Sequence, residues 1–183
     1  MKKISWVVGL AMLLGTAAWA QNGQVQAREF QKRSTITVTL QWSGNTSCTT
    51  SVGPNAFPAL TWTFGAKETV SSGGTGSGGG AGKTTFANLI VTKRTDSCSP
   101  ALFSAVAKGE HIPKVTVVQQ DNNKDDVVSV VLENVFIESY QLSGDISQEV
   151  PVETISFNFG AIAITDSISG AKFGWNLKAN HAF

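Results

Sequence analysis

The residues most suggestive of chemistry follow a glycine-rich stretch. Gly82, Lys83 and Thr84 stand in the order found at the end of a phosphate-binding loop. That motif also requires a glycine five residues before Gly82, where this chain has Ser77, and a helix after the lysine. Residues 86–91 instead alternate like a strand, so no helix dipole would meet a phosphate. We therefore predict no nucleotide site.

The other residue types that perform catalysis are scattered along the chain. Neither His111 nor His181 has a neighbouring Ser or Cys in the sequence, and His111 is interpreted as a helix-end residue that interacts with the dipole. Glu149 and Glu153 are spaced to face one another as glycosidase carboxylates do, but no aromatic cleft accompanies them. The acidic turn at residues 121–126 lacks the ordered oxygens of a calcium loop. We predict no catalytic residue, no cofactor and no metal ion.

Three tryptophans offer a possible stacking platform for sugars. They are Trp42, Trp62 and Trp175, and each is in phase with the apolar residues of its own segment. That phase favours packing in the core. The core interpretation is preferred, and the platform is the alternative.

The charge balance argues against one class of partner. Fourteen Lys and Arg residues face thirteen Asp and Glu residues, whereas nucleic-acid-binding domains carry a clear basic excess. The length of 183 residues suits one globular domain. No nucleic acid is therefore expected as a partner.

The N-terminus has the layout of a secretory signal peptide. Two lysines are followed by an apolar run at residues 7–14 and by an Ala-Trp-Ala cleavage sequence that ends at Ala20. The alternative is a membrane anchor, but the run is shorter than the roughly 20 residues of a spanning helix. We predict that residues 1–20 are removed and that residues 21–33 form a polar lead-in. The mature protein is then secreted, to the periplasm or outside the cell, without a membrane span.

Export places the two cysteines in an oxidising compartment. Cys48 and Cys98 are the only cysteines, and a disulfide between them would close a loop worth on the order of 4 kcal/mol in the chain-entropy model. The alternative is two buried free thiols. Without a nearby histidine the pair does not make a zinc site. We predict the disulfide.

Period-two alternation predicts a mainly β domain over residues 34–183. Apolar and polar residues alternate at residues 35–42, 60–64, 87–91, 115–117, 128–132, 135–137, 155–159 and 173–177. An irregularity of the kind a β-bulge produces interrupts this pattern at Glu133 and Asn134, and the polar residues 121–124 predict a hairpin turn. The strands favour a barrel or a sandwich.

One segment has helical spacing instead. Ser99 can act as N-cap, Pro100 fits the first helical position, and Gly109 stands where a left-handed C-cap residue would be. We predict a helix at about residues 100–109, packed over a barrel end or a sheet.

A low-complexity stretch separates two of the predicted strands. Such a composition cannot bury a core and behaves as a mobile loop or linker. The stretch consists of Ser71, Ser72, Gly73, Gly74, Thr75, Gly76, Ser77, Gly78, Gly79, Gly80, Ala81 and Gly82.

In their order along the chain, these features resemble the haemolysin-coregulated proteins (Hcp), the tube proteins of type VI secretion systems. The similar segments begin with LTWTFGAKE at Leu60 and GGGAGKTTFANLIVTKRTDSCSPALFSAVAKGEHI at Gly78. They continue with LENVFIESYQLSG at Leu132, PVETISFNFGAIAI at Pro151 and GWNLKAN at Gly174. From the first to the last of them they span about two thirds of the chain.

The resemblance implies a β-barrel of two antiparallel sheets with one flanking α-helix, assembled as a hexameric ring. Such rings have a wide channel for cargo and stack into tubes, and no residue of the family is catalytic. Residues 71–82 correspond to the family's extended loop and are the candidate ring-stacking loop. Because members normally assemble in the cytoplasm, the signal peptide predicts a tube protein redirected to the periplasm or the exterior. The alternative is a secreted Hcp-like effector or ligand-binding module that does not form tubes.

Overall fold

The computed structural model describes residues 34–42, 48–68 and 84–183. The predictions for the signal peptide, the lead-in and the glycine-rich stretch concern residues outside these ranges. Residues Thr35–Phe183 form one compact unit. In the described part of the chain, no helix has the length and apolar character needed to cross a membrane.

Strands make up most of the described residues, together with a single helix. The first seven strands are β1 (Thr35–Gln41), β2 (Thr49–Thr50), β3 (Gly53–Pro54), β4 (Ala56–Ala59), β5 (Thr61–Thr63), β6 (Ala66–Glu68) and β7 (Thr84–Phe86). Strand β8 (Leu89–Arg94) precedes the helix α1 (Ser99–Lys108). The remaining strands are β9 (His111–Gln120), β10 (Asp126–Ser143), β11 (Val152–Asn158), β12 (Ala161–Asp166), β13 (Lys172–Asn176) and β14 (His181–Ala182).

Antiparallel pairing joins ten strands into one branched sheet. The main path runs β14-β13-β12-β10-β11-β8-β5, and β9, β1 and β4 branch from β10 in that order. Two small sheets, β2-β3 and β6-β7, stand apart from it. The mainly β fold with one helix is confirmed. Among the described residues, however, the path stays open between its edges and does not close into a complete barrel.

The long strand β10 connects the two halves of the sheet. Its residues 128–133 pair with β12, and its pairing with β11 begins at Phe136. Between them Asn134 has a left-handed φ of 54°, and Gly160 donates a backbone hydrogen bond to the Glu133 carbonyl. The irregularity predicted at Glu133 and Asn134 is therefore confirmed, as the place where β10 changes its neighbour.

The predicted hairpin turn joins β9 to β10. The Asp121 carboxylate accepts hydrogen bonds from the backbone N–H groups of Asn123 and Asp125, at 2.7 and 3.0 Å. Lys124 adopts a φ of 70°. The turn is thus held by its own aspartate, as in Asx turns.

All three tryptophans contribute to the hydrophobic core. Trp42 is buried within it, and Trp62 and Trp175 are half-buried and pack against it. The indole N–H of Trp62 also donates to Gln119 Oε1 at 3.0 Å. The core interpretation is confirmed, because these rings pack inside the fold and do not line one exposed surface.

Helix α1 begins one residue earlier than predicted. Cys98 is its N-cap, and Ser99 lies in the first turn. The Ser99 hydroxyl does not cap the helix because it accepts hydrogen bonds from the Asp96 N–H at 2.9 Å and from Lys93 Nζ at 3.2 Å. Gly109 has a φ of 60° and ends the helix as predicted.

Candidate functional site

A buried ion cluster lies where β8, β11 and the start of α1 meet. Lys93 and Glu153 stand opposite one another in the register of β8 and β11, and neither side chain is exposed. Lys93 Nζ lies 3.0 Å from Glu153 Oε2 and 2.9 Å from Asp96 Oδ1. The ring of Phe57 has its centroid 5.3 Å from the same nitrogen. Burial of such charges is tolerated only because they are paired.

The loop between β8 and α1 positions the second carboxylate of the cluster. Asp96 Oδ1 accepts a hydrogen bond from the Cys98 backbone N–H at 2.8 Å. Asp96 Oδ2 is buried and has no hydrogen-bond partner among the described residues. The two oxygens of one carboxylate are therefore in different environments, one held and one without a donor.

The period-two pattern contained a signal for this cluster. Lys93 is in phase with Leu89 and Val91 on β8, and Glu153 is in phase with Ile155 and Phe157 on β11. Side chains two residues apart share one face of a strand, so both charges had to point inward. Sequence reasoning missed the cluster because it took Glu153 together with Glu149 and did not follow its strand phase.

The Cys48–Cys98 disulfide closes the same corner of the molecule. Both cysteines are buried, and their Cα atoms are 4.4 Å apart. The Ser97 hydroxyl donates to the Thr49 carbonyl beside it. The disulfide predicted from the sequence is thus present, and it fixes the start of α1 to the chain that leads into β2.

An open groove of about 490 Å³ lies beside the ion cluster, and we call it the helix groove. It is lined by Thr95, Ser99, Pro100, Phe103, Tyr140 and Leu142. Phe103 and Leu142 are 59% and 57% exposed, and the rings of Phe103 and Tyr140 are 5.7 Å apart. Burial, followed by the charge of Glu153 and a hydrogen bond to it, raises the pKa of Tyr140 to about 12. The groove therefore combines apolar walls with one phenolic hydroxyl that stays protonated.

Exposed apolar side chains also project near the C-terminus. Ile168, Phe173 and Phe183 are all exposed. Phe173 lies beside Trp175 on one face of β13, with ring centroids 6.3 Å apart, and we call this pair the C-terminal patch. The Phe183 N–H donates to the Gly174 carbonyl at 3.1 Å, and its ring covers that glycine so closely that an added Cβ would lie 2.8 Å from it. Gly174 thus lets the last residue of the chain lie directly against β13.

Strands β6 and β7 frame the candidate ring-stacking loop. They pair antiparallel with Glu68 opposite Thr84, so the chain leaves and returns at adjacent positions. Residues 71–82 themselves lie outside the described residues. After Lys83 the chain forms β7 and β8 and no helix intervenes, which agrees with the rejection of a phosphate-binding loop.

The scattered candidates for catalysis occupy unrelated positions. His111 is the first residue of β9 and not a helix-end residue, and its ring lies 5.2 Å from that of Phe136. Glu149 is exposed, whereas Glu153 is buried against Lys93, so the two carboxylates do not share one environment. No cluster of three His, Cys, Asp or Glu side chains in the described ranges is arranged to hold a metal ion.

Comparison with protein-family models matches residues 44–165 to "Type VI secretion system effector, Hcp". Comparison with curated proteins gives no match. Among solved structures, Hcp1 from Salmonella typhimurium is 22% identical with a TM-score of 0.67, over 82% of this chain and 99% of that one. A structure described as a type six secretion system protein is also 22% identical with a TM-score of 0.70, over 81% and 99%. Hcp2 from Salmonella typhimurium is 19% identical with a TM-score of 0.58, over 80% and 98%.

The solved structures establish the fold, because they superpose on most of the chain. Since their sequence identity to it is low, they establish the fold alone. The family match extends over about two thirds of the sequence and includes the ion cluster, the disulfide and the helix groove. The chain therefore belongs to the Hcp family of type VI secretion proteins.

Proposed function

We propose that this protein is an exported structural subunit that forms hexameric rings, which stack into tubes. The observation that carries the proposal is the family match over residues 44–165, together with the Hcp fold. After export and loss of residues 1–20, the mature chains assemble with one another. The protein acts by presenting surfaces and a channel, and not by performing a reaction.

Two apolar surfaces support assembly into rings. A closed ring of identical subunits uses heterologous contacts, in which one surface of each subunit meets a different surface of the next. The helix groove is built from α1 and β10, whereas the C-terminal patch lies on β13. Exposed apolar residues in such groups are typical of interaction sites. These two surfaces are our candidates for the lateral contacts.

The disulfide supports export before assembly. Disulfides form and persist in oxidising compartments and are rare in the cytoplasm. The structure holds its cysteine pair buried and joined, at the base of α1. A chain that matures outside the cytoplasm can form this bond, and its signal-like N-terminus provides the route.

The mass of the purified mature protein in solution tests the proposal. We expect size-exclusion chromatography with light scattering to give six subunits, and negative-stain microscopy to show rings and stacked rings. A monomer across the concentration range would contradict it. For the export step, N-terminal sequencing of protein from outside the cytoplasm should begin at Gln21, and retention of Met1 would contradict that step.

A second candidate function is ligand binding by a secreted Hcp-like module, and the helix groove favours it. Its volume falls in the range of roughly 300–1,000 Å³ that is typical of small-molecule sites. A ligand-binding module would remain monomeric and would change its Trp and Tyr fluorescence when the groove is filled. Rings that show no change in fluorescence would exclude the ligand-binding function and leave the structural function as the remaining candidate.

A further inference from the structure

We propose that the ion cluster is the site of a covalent modification, an amide bond between the side chains of Lys93 and Asp96. Glu153 transfers the proton during the reaction. This inference goes beyond assembly, since neither rings nor tubes require it. It rests on four groups that the fold brings together: an amine, a carboxyl group, a second carboxyl group and a backbone N–H donor.

Lys93 supplies the nucleophile. Its Nζ is fully buried, lies 2.9 Å from Asp96 Oδ1 and has the Phe57 ring centroid at 5.3 Å. Moving one proton from Nζ to Asp96, where it resides on Oδ2, produces a neutral amine and a neutral carboxyl group, the pair that reacts. The transfer also removes two charges from a buried site, where charges are costly. A desolvated lysine amine is an effective nucleophile.

Asp96 supplies the carbon that is attacked, and its two oxygens are already distinguished. The Cys98 N–H holds Oδ1 at 2.8 Å and can stabilise the negative charge that develops there during attack. Oδ2 has no hydrogen-bond partner among the described residues, so it is the oxygen free to depart. Oδ1 becomes the carbonyl oxygen of the new amide.

Glu153 supplies the general base and then the general acid. Its Oε2 lies 3.0 Å from Lys93 Nζ, within reach of the proton that nitrogen must lose. The C–N bond forms as Glu153 accepts a second proton from the nitrogen, and the C–Oδ2 bond breaks as Glu153 returns that proton to Oδ2, which already carries the first. One water molecule leaves, Glu153 is regenerated, and no oxidant or other reactant is needed.

The fold keeps these groups together without a substrate to bind. The disulfide at Cys98 fixes the residue whose N–H contacts Asp96, and the register of β8 and β11 fixes Lys93 against Glu153. Reacting groups held in this way reach effective concentrations far above those of free molecules. The reaction is therefore expected to follow folding and to need no enzyme.

The peptide mass of the wild-type protein decides the proposal. After reduction and alkylation, cleavage at glutamates releases residues 69–110 as one peptide that contains both side chains. We expect this peptide to lack the mass of one water molecule, with the loss confined by fragmentation to residues 93–96. We also expect Lys93 to resist acylation in denaturant. The full mass would overturn the proposal, and so would a water loss with Lys93 still acylated, which would indicate a backbone succinimide.

Variants separate the roles of the groups. Asp96→Asn should release ammonia in place of water and give the same product mass as the wild type, whereas Asp96→Ala should give none. In Glu153→Gln, which lacks the group that transfers the proton, the peptide should keep its full mass and Lys93 should remain open to acylation in denaturant. Glu133→Gln, an exposed carboxylate 4.0 Å from Lys114, is the matched control and should react fully. Complete reaction in Glu153→Gln would overturn the role assigned to that residue.

Discussion

Tyr140 is the only tyrosine in the chain, so its phenolate absorbance reports one group. Burial and the neighbouring Glu153 raise its pKa from 10.0 to about 12. Because the folded-state pKa is above the unfolded one, Tyr140 stabilises the fold fully below about pH 10, and that contribution is lost as the pH rises through 12.

We therefore expect the native protein to titrate with a midpoint near 12 and the denatured protein with a midpoint near 10. Glu153→Gln should lower the native midpoint only in part, since burial remains. A native midpoint equal to the denatured one would contradict the described position of Tyr140.

Loss of the Lys93 side chain should destabilise the fold strongly. Lys93→Ala leaves Glu153 buried without the Lys93 nitrogen, its partner whether that nitrogen is an ammonium or the amide proposed above, and removing one partner of a buried pair typically costs about 3–5 kcal/mol. Lys114→Ala is the control, because its pair with Glu133 is largely exposed and such pairs contribute less than about 1 kcal/mol. Urea unfolding of both variants provides the measurement, and equal losses would show that the cluster is not buried as described.

At the scale of elements, alternation predicts strands only where one face differs from the other. Residues in β1 and β11 alternate in burial, and both were found from the sequence. Strand β12 was missed because Ala161, Ile162 and Ala163 are all buried, so its first half has no period of two. Strand β4 was missed because it is short and contains Pro58, which usually argues against a strand. The strand phase of Lys93 and Glu153 could have predicted that both side chains point into the core. The contact between Lys93 and Asp96 could not be predicted in this way, because it depends on the conformation of the loop before α1.

Asn134 holds the bend at which β10 changes its neighbour. A left-handed φ of 54° strains most side chains, so Asn134→Ala should destabilise the fold by about 1–2 kcal/mol. Asn134→Gly should cost clearly less, because glycine adopts this conformation freely. Thermal unfolding of the two variants compares them directly, and an alanine variant as stable as the glycine variant would contradict the bend.

The disulfide should account for much of the stability of the helix corner. Its cysteines are 50 residues apart, and in the chain-entropy model such a loop is worth on the order of 4 kcal/mol. We expect urea unfolding of the double variant Cys48→Ser, Cys98→Ser to give a free energy of unfolding lower by about that amount. Wild-type protein should gain the mass of two hydrogens on reduction, and two freely alkylated thiols before reduction would contradict the bond.

At the scale of the whole molecule, the candidate ring-stacking loop should affect tubes more than rings. Deleting residues 73–80 should leave rings of unchanged mass and shorten or abolish tubes, because growth along the axis needs contacts between rings. Ordering the loop costs roughly 1 kcal/mol or more per residue, so it contributes only where it gains contacts. Monomers in place of rings would assign the loop to lateral contacts, and unchanged tubes would show that it is idle.

The pairing of Glu68 with Thr84 has a consequence for engineering. Since the two ends of the connection are adjacent, an inserted peptide begins and returns at one point on the surface, and each doubling of its length costs only about 0.6 kcal/mol in closure entropy. A small folded domain with neighbouring termini can therefore be grafted between β6 and β7 with little effect on the sheet. A ring built from such chains would display one graft per subunit.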